Sequence, residues 1–295
     1  MDVLTRGTAL NEEVRVICCR TTELVQKARD SHDLWPAATA ALGRTLTAGS
    51  MMGCLLKDKQ EKIEIQIDGK GPLGQMVVDA YYDGRVRGFV QNPHLYKEKE
   101  NHKLDVGACV GTDGLLRVVR DMGMKQPFIS EVQLQTGEIG DDFAYYFAVS
   151  EQTPSAVSVG VLVDTDLSVK SSGGLIIQLL PNACEETIRI VEDIVRYLKP
   201  ISQLMLEYES PRELVDALFD DYKELGSQQL RFECECSKGR FARVLAKLPD
   251  DDLQEMIDED GGCEVVCKFC GKKYHFDGET LQGYIDGRRN KQQKS

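Results

Sequence analysis

Cys234-Glu235-Cys236 is followed, after 30 intervening residues, by Cys267-Lys268-Phe269-Cys270-Gly271. Two close cysteine pairs separated by a domain-sized loop are typical of a tetrahedral metal site with four sulfur ligands. Gly271 allows the backbone to fold back, so that amide N–H groups can point at the sulfur atoms. Thiolate-only tetrahedral sites favour zinc or iron–sulfur. The spacing therefore predicts a site, with Zn²⁺ as the leading metal, whose ligands are Cys234, Cys236, Cys267 and Cys270.

The first cysteine pair has an uncommon spacing. Cys234-x-Cys236 makes a tighter turn than Cys-x-x-Cys, and its oxidation would close a small, strained disulfide ring. Strained disulfides belong to the labile, regulatory class. We therefore expect a structural zinc site that also opens under oxidation.

The other cysteines and the histidines give weaker signals. Cys263 lies four positions before Cys267 and could reach the metal or compete for a disulfide, but a partly buried apolar role is expected. His275 is an alternative metal ligand, five residues after Cys270. The remaining cysteines are expected to pack as small apolar residues: Cys18, Cys19, Cys54, Cys109 and Cys184.

The length of 295 residues suggests about two domains. The N-terminal segment 1–6 lacks the layout of a signal peptide, and no apolar segment is long enough to span a bilayer. We therefore expect a cytoplasmic protein without membrane association, in which the ten cysteines are thiols or metal ligands.

The net charge of −12 is unevenly distributed. Residues 181–260 carry 20 acidic and 10 basic side chains, whereas residues 261–295 carry 4 and 7. The acidic segment argues against nucleic-acid binding, because phosphate binding relies on Lys and Arg. The basic tail keeps a zinc-ribbon nucleic-acid-binding protein as an alternative. Its cationic residues are Arg288, Arg289, Lys291 and Lys294.

Residues 1–180 are predicted to form an α+β core domain of sheet and helices. Ile63, Ile65 and Ile67 alternate with polar residues, which indicates a strand. The segment 69–74 matches G-x-G-x-x-G, but a strand-like sequence follows it, so we predict a hairpin loop and no dinucleotide site. Strands are predicted at 13–19, within a hairpin meander over 62–91, and at 115–121, 127–135, 156–163 and 173–180. Helices are predicted at 21–31, 36–56 and 140–151.

Residues 181–230 are predicted to form an acidic helical linker. Asn182 and Glu185 make a capping-box pattern at the start of one helix, which Pro200 ends. Ser210-Pro211 begins a second helix, which Gly226 ends. Isolated helices of this length are marginal, so their apolar stripes must dock on another surface. The stripes consist of Val191, Ile194, Val195 and Leu198, then Leu214, Val215, Leu218 and Phe219.

Residues 231–295 are predicted to form a small zinc-binding redox-switch domain. Ser237 can cap one helix, and Pro249-Asp250 can open another that ends at Gly261-Gly262. A unit of this size rarely stabilises itself by burial alone. The metal is expected to hold it together, since structural zinc can contribute on the order of 10 kcal/mol of folding free energy.

The cysteine pattern, behind an α+β domain and an acidic linker, resembles the redox-regulated heat-shock chaperones of 33 kDa. The likeness runs over nearly the whole chain. Supporting segments are Arg20-Thr21-Thr22-Glu23-Leu24-Val25, Ala41-Leu42-Gly43-Arg44, Ser172-Gly173-Gly174-Leu175-Ile176-Ile177-Gln178, Leu248-Pro249 and Tyr274-His275-Phe276. Cys263 is a departure from the family's pattern.

This resemblance implies an ATP-independent holdase, not an enzyme, that binds unfolding client proteins under oxidative stress. It also implies that the reduced, zinc-bound form is quiescent. Disulfide formation then frees zinc and exposes a client-binding surface, with a homodimer as the active species. Carried over by position, the metal ligands and the redox switch are the same residues, Cys234, Cys236, Cys267 and Cys270.

Two other classes of protein stay open at this point. A thiol–disulfide oxidoreductase requires Cys267-x-x-Cys270 exposed at a helix N-terminus in a βαβ unit, but a strand-like segment, 263–266, precedes these cysteines. A zinc-ribbon nucleic-acid binder requires a basic face.

Overall fold

A computed structural model describes residues 1–101 and 103–292, without the side chains of 289–292. The chain divides into two compact units, Met1–Glu233 and Cys234–Ser295. The predicted α+β class is confirmed. The segment 181–230, predicted as a linker, packs within the first unit, and the second unit begins three residues after the predicted boundary at 231.

The first unit contains the following elements among its described residues. Its strands are β1 (Val3–Ala9), β2 (Val14–Arg20), β3 (Lys62–Asp68), β4 (Met76–Tyr81), β5 (Arg85–Val90), β6 (Leu115–Asp121), β7 (Phe128–Gln133), β8 (Ser155–Val163), β9 (Val169–Leu179), β10 (Lys223–Gln229) and β11 (Arg231–Phe232). Its helices are α1 (Thr22–His32), α2 (Pro36–Gly53), α3 (Val106–Val110), α4 (Gly140–Val149), α5 (Glu185–Tyr197), α6 (Ile201–Glu207) and α7 (Pro211–Leu218).

Two sheets organise the first unit. One has the order β10-β1-β2-β9-β8, and the other has the order β11-β5-β4-β3-β6-β7. The isoleucines of β3 pair with Ala80, Val78 and Met76 of β4 and are buried, which confirms the predicted alternation. Since β4 follows the segment 69–74, the glycine-rich loop is a connection between strands, as predicted.

Helix α2 lies between the two sheets, in contact with β8 and β9 on one side and β4 and β5 on the other. Every residue of α2 except Arg44 is buried. A helix that is buried on all sides needs small residues where it meets its neighbours, and α2 supplies them. A Cβ atom at Gly43 would lie 2.7 Å from Val25 and 2.8 Å from Val161.

The predicted linker helices dock on the outer face of the five-stranded sheet. Val215 and Leu214 of α7, Leu204 of α6 and Val191 of α5 join a buried cluster with β1, β2 and β9 residues such as Val16. Helix α5 is less well covered, since Val195, predicted in its apolar stripe, is 43% exposed. The predicted need for a docking surface is met by the sheet of the same unit.

Several predicted helix ends are wrong. Helix α5 begins at Glu185 with Cys184 as its N-cap, so Asn182 does not cap it. The helix ends at Tyr197, and Pro200 caps a further helix, α6, that was not predicted. Helix α7 ends at Leu218, and Gly226 lies inside strand β10. The start of α7 is confirmed, because the Ser210 hydroxyl accepts a hydrogen bond from the Glu213 N–H.

The second unit is a two-stranded sheet with three helices. Its elements among the described residues are α8 (Lys238–Leu245), α9 (Asp250–Asp260), β12 (Gly262–Val266), β13 (Lys273–Asp277) and α10 (Gly278–Gln292). Ser237 caps α8, and Gly261 in a left-handed conformation (φ +66°) ends α9, both as predicted. Among the described residues of this unit, the apolar core is small and consists of the buried residues Leu245, Leu253, Tyr274, Phe276, Leu281 and Ile285.

None of the helices described by the structure has both the length and the apolar character needed to cross a membrane.

Candidate metal centre

Two short loops bring the four predicted ligands together. Cys234 and Cys236 lie in the loop before α8, and Cys267 and Cys270 lie in the turn between β12 and β13. The hairpin turn is closed by bonds from the N–H of Cys267 to the Lys272 carbonyl (2.9 Å) and from the N–H of Gly271 to the Cys267 carbonyl (2.8 Å). Gly271 has a φ of +69°, a left-handed conformation that glycine adopts without a Cβ clash.

The sulfur atoms have the spacing of a tetrahedral metal site. All four Sγ atoms lie within 4.8 Å of one another. The Cys234–Cys267 distance is 3.7 Å, and the Cys236–Cys270 distance is 3.4 Å. A zinc–sulfur bond of about 2.3 Å gives a tetrahedron with an edge of about 3.8 Å. The donor set and its dimensions therefore fit zinc.

Hydrogen-bond donors surround the sulfur atoms. Backbone N–H groups of Phe269 and Lys272 point at the sulfurs of Cys267 and Cys270, as expected from the glycine turn. The Tyr274 hydroxyl lies 3.2 Å from the Cys236 sulfur and 2.9 Å from the Cys236 carbonyl oxygen. Such contacts orient ligands and stabilise their negative charge.

Burial acts against ionisation of these thiols. It raises the pKa of Cys267 and of Cys270, and the hydrogen bonds from Phe269 and Lys272 only partly offset it. Burial acts in the same direction on Cys236, but bonds from Tyr274 and the neighbouring thiols outweigh it and lower the pKa. A bound cation would shift all four groups towards thiolate, because metal ligands bind deprotonated.

Two other candidate ligands lie outside the cluster. His275 is an exposed residue of β13 whose Nε2 is 3.2 Å from a carboxylate oxygen of Glu264. Cys263 pairs with Phe276 in the β12–β13 ladder and packs partly buried against the core of the second unit. The expected apolar role of Cys263 agrees with this position.

The cysteines of the first unit match the sequence expectation with one exception. Cys18, Cys19, Cys54 and Cys109 are buried, and Cys184 is exposed. The packing role expected for Cys184 is therefore wrong. Its position is fixed by its backbone, since the N–H of Cys184 donates to Glu13 at the N-terminus of α5.

The basic tail is only partly described. The Arg288 guanidinium binds the Leu248 carbonyl and lies 2.7 Å from a carboxylate oxygen of Asp250. Its charge is therefore compensated locally. Lys294 and the side chains of Arg289 and Lys291 lie outside the described residues.

Tyr274 is the residue of this centre that the sequence reasoning missed. In the sequence it enters only through the segment Tyr274-His275-Phe276, which supports the family resemblance. The period-two pattern of β13 places Tyr274 and Phe276 on the buried face, but the contact of the hydroxyl with Cys236 depends on the fold of a loop 38 positions away.

Comparison with known proteins gives one consistent result. A family model described as Hsp33 protein matches residues 2–277. A 33 kDa chaperonin of Shouchella clausii is 45% identical over 293 residues, covering 98% of this chain and 99% of that protein. One from Alkaliphilus oremlandii is 46% identical over 281 residues, with 94% and 93% covered. The crystal structure of the 33 kDa chaperonin from Thermotoga maritima is similar, with a TM-score of 0.92 at 36% identity over 98% of this chain and 99% of that one. The chain belongs to the Hsp33 protein family.

Proposed function

We propose that this protein is an ATP-independent holdase that binds unfolding proteins and that is switched on by oxidation. The observation that supports it most is the cluster of four sulfur atoms within 4.8 Å, held by a small domain with little other stabilisation. Relatives that share 45% of their residues with this chain are named chaperonins. The proposed role is binding and not catalysis.

In the reduced state, Cys234, Cys236, Cys267 and Cys270 are the proposed ligands of one zinc ion. A bound zinc would compensate the charge of four thiolates and link the loop before α8 to the β12–β13 turn. The amide groups of Phe269 and Lys272 and the Tyr274 hydroxyl hold the ligand sulfurs in place. We propose that this state binds clients poorly.

Oxidation converts ligands into disulfides. Two thiolates lose two electrons when a disulfide forms, and one H₂O₂ accepts them together with two protons and leaves as two water molecules. Thiolates are the form that peroxide attacks. Each disulfide removes two ligands, so the site loses its zinc and the second unit loses its main source of stability.

The helices on the five-stranded sheet are the proposed client surface. Helix α5 buries only Thr187 and Val191, and Val195 and Leu198 line a gap of about 40 Å³ against the sheet. The chain just before Cys234 is tied to the first unit by the Glu233 N–H, which donates to the Val86 carbonyl (3.0 Å). Unfolding that begins at the cysteines would reach this contact first. Release of α5 would expose an apolar surface for a client or a second copy of the chain.

The two alternative functions lack the features they require. Cys267 and Cys270 lie in a turn between antiparallel strands and not at a helix N-terminus, so the site is unlike that of a thioredoxin-type oxidoreductase. Arg288 is engaged by Asp250, which weakens the case for a basic nucleic-acid face. All ten cysteines, each within the described residues, are free of disulfides. We propose a cytoplasmic location, where cysteines are kept as thiols or bind metal.

Suppression of thermal aggregation of a model client tests this function. The parent should be weakly active with reductant and zinc, and strongly active after peroxide treatment, without ATP. Cys267→Ser, which removes one ligand, should be active without oxidant, whereas Cys263→Ala should behave as the parent. A Cys267→Ser variant that stays inactive under both conditions, although folded in its first unit, would contradict the proposed switch.

A further inference from the structure

A cleft opens in the first unit where its two sheets diverge, beyond the C-terminal end of α2. Its volume is about 560 Å³, within the range of small-molecule sites. Strands β1 and β2 supply one wall through Arg6 and Arg15, and β6 supplies another through Arg120. The loop after α2 contributes Leu56 and Lys57.

The cleft is cationic in a protein whose net charge is −12. Arg15 donates to a neutral partner, the side-chain oxygen of Gln178 (3.2 Å). Neither Arg6 nor Arg15 forms an ion pair within the described residues. Glu151 is the single acidic residue of the lining, and it is already bound by Arg120 (2.6 Å) and by the Tyr146 hydroxyl (2.7 Å). Two guanidinium groups therefore face the cleft without a counter-ion from the protein.

Arg6 and Arg15 lie on the same face of two neighbouring strands, since Arg6 of β1 pairs with Ile17 of β2, two residues from Arg15. Cys54 is buried at the end of α2, and burial raises its pKa to about 12. The charges of Arg6 and Arg15 act on the pKa of this thiol in the opposite direction but do not outweigh burial. In the same β1–β2 ladder, Arg15 pairs with Thr8, so the two arginines are diagonal neighbours on β1 and β2.

Apolar side chains complete the lining. Leu56 and Phe147 are buried, and Tyr82 and Leu225 are exposed at the edge of the cleft. A cavity with apolar walls and a few converging polar groups is the usual form of a small-molecule site. Arginine in particular suits phosphate, because its planar fork can donate two parallel hydrogen bonds.

We propose that this cleft binds a small organic phosphate, with the phosphate held by Arg6 and Arg15 and an apolar or aromatic body against Leu56 and Phe147. Lys57, at the entrance, would add to the attraction of the anion. Because the ligand would bind the folded first unit and not the unfolded chain, it would stabilise that unit by RT ln(1 + [L]/Kd), which rises with the logarithm of ligand concentration above Kd.

Isothermal titration of the reduced, full-length protein with phenyl phosphate tests this proposal. Inorganic phosphate and phenol are parallel probes that carry only the charge or only the ring. Phenyl phosphate should bind saturably, at least tenfold more tightly than either probe, and more weakly as salt increases. It should also raise the melting temperature of the first unit.

Arg6→Gln and Arg15→Gln should each weaken phenyl phosphate binding at least tenfold, whereas Arg6→Lys should retain part of it. Arg117→Gln is the matched control, because Arg117 is exposed on β6 and paired with Glu131 away from the cleft. If a Gln variant fails to fold, the salt dependence of phenyl phosphate binding to the parent protein still tests whether charge contributes to binding. Absence of saturable binding, or binding unaffected by salt and by the Arg6 and Arg15 substitutions, would overturn the proposal. Equal affinity for inorganic phosphate would overturn the role of the apolar wall.

Discussion

At the scale of single residues, Cys263 and Cys267 of the β12–β13 hairpin illustrate how position decides role. Cys263 and Cys267 are four positions apart in one chain segment, yet only Cys267 lies in the sulfur cluster. Cys263 lies within the regular β12–β13 ladder, where it pairs with Phe276, whereas Cys267 lies beyond the last pair at Val266 and Lys273. A thiol in the ladder is held away from the turn.

This difference leads to a prediction about zinc. The parent should contain about one zinc per chain when reduced. Cys263→Ala should retain that stoichiometry and the parent's affinity, while Cys267→Ser should lose zinc to a competing chelator at a concentration at least tenfold lower. Metal analysis after dialysis against the chelator measures both. Zinc affinity in Cys267→Ser equal to that of the parent would exclude this residue as a ligand.

Asp2 is a second residue whose surroundings lead to a prediction, in this case about the pH dependence of stability. Its carboxylate is buried against the N-terminus of α1 and accepts hydrogen bonds from the N–H groups of Glu23 (3.2 Å) and Leu24 (2.6 Å). Burial outweighs these bonds and raises the pKa of Asp2 from 3.8 to about 6. The stability that this shift contributes is complete below about pH 4 and is lost as the pH rises through about 6, because the unfolded chain ionises first.

Asp2→Asn should remove this pH dependence. Between pH 4 and pH 7, the free energy of unfolding of the variant should increase relative to that of the parent by about 2 kcal/mol. Trp35 is the single tryptophan and lies in the first unit, so its fluorescence follows urea unfolding of that unit. Asp30→Asn, an exposed substitution on α1, is the control. A variant-to-parent difference that does not change with pH would contradict the assignment.

At the scale of elements, α5 depends on a contact from outside the helix. One carboxylate oxygen of Glu13 accepts bonds from the N–H of Cys184 (2.8 Å) and the hydroxyl of Thr187 (2.5 Å). Glu13 lies just before β2, so the sheet itself supplies the cap of the helix that docks on it. Loss of the cap should loosen α5, whose buried surface is small.

Glu13→Ala should therefore accelerate hydrogen exchange over residues 185–197 in the reduced protein. Helix α7 should be unaffected, because it has its own cap in Ser210 and buries Leu214 and Val215. Glu12→Ala is a matched control, since Glu12 is exposed and pairs with Lys223. Exchange mass spectrometry measures each segment. Equal exchange over 185–197 in the two variants would refute the capping role.

The elements also show which parts of the fold sequence patterns can predict and which they cannot. The alternation of Ile63, Ile65 and Ile67 predicts β3 because one face of that strand is buried. Strand β10 has no such signal. Its sequence, Lys-Glu-Leu-Gly-Ser-Gln-Gln, is largely polar, and it forms because β1 offers a free edge for pairing. Helix α6 was missed for a related reason, since a proline that cannot continue one helix can directly precede the next.

The metal centre was more predictable than the fold, for a physical reason. The geometry of four sulfurs depends on two short loops with fixed spacing, whereas the docking of α5 to α7 depends on a sheet assembled from strands far apart in sequence. The cluster of Cys234, Cys236, Cys267 and Cys270 followed from spacing alone. The hydroxyl of Tyr274 beside Cys236 and the Glu13 cap of α5 required the folded structure.

At the scale of the whole molecule, the two units differ in how they are stabilised. The first has two sheets with a buried helix between them, while the second has a small apolar core and a cysteine cluster. Zinc removal by a chelator under reducing conditions should therefore abolish the helical signal of α8 to α10 in circular dichroism. The fluorescence of Trp35 should not change. An unchanged dichroism spectrum after complete zinc loss would show that the small core is sufficient.

In the proposed switch, the cysteine cluster controls client binding. The most direct test is a peroxide titration in which zinc release and suppression of client aggregation are measured on the same samples. Both should rise together from near zero, without ATP, and reductant with zinc should reverse both. Full suppression of aggregation by the reduced, zinc-loaded protein at ordinary temperature would contradict it.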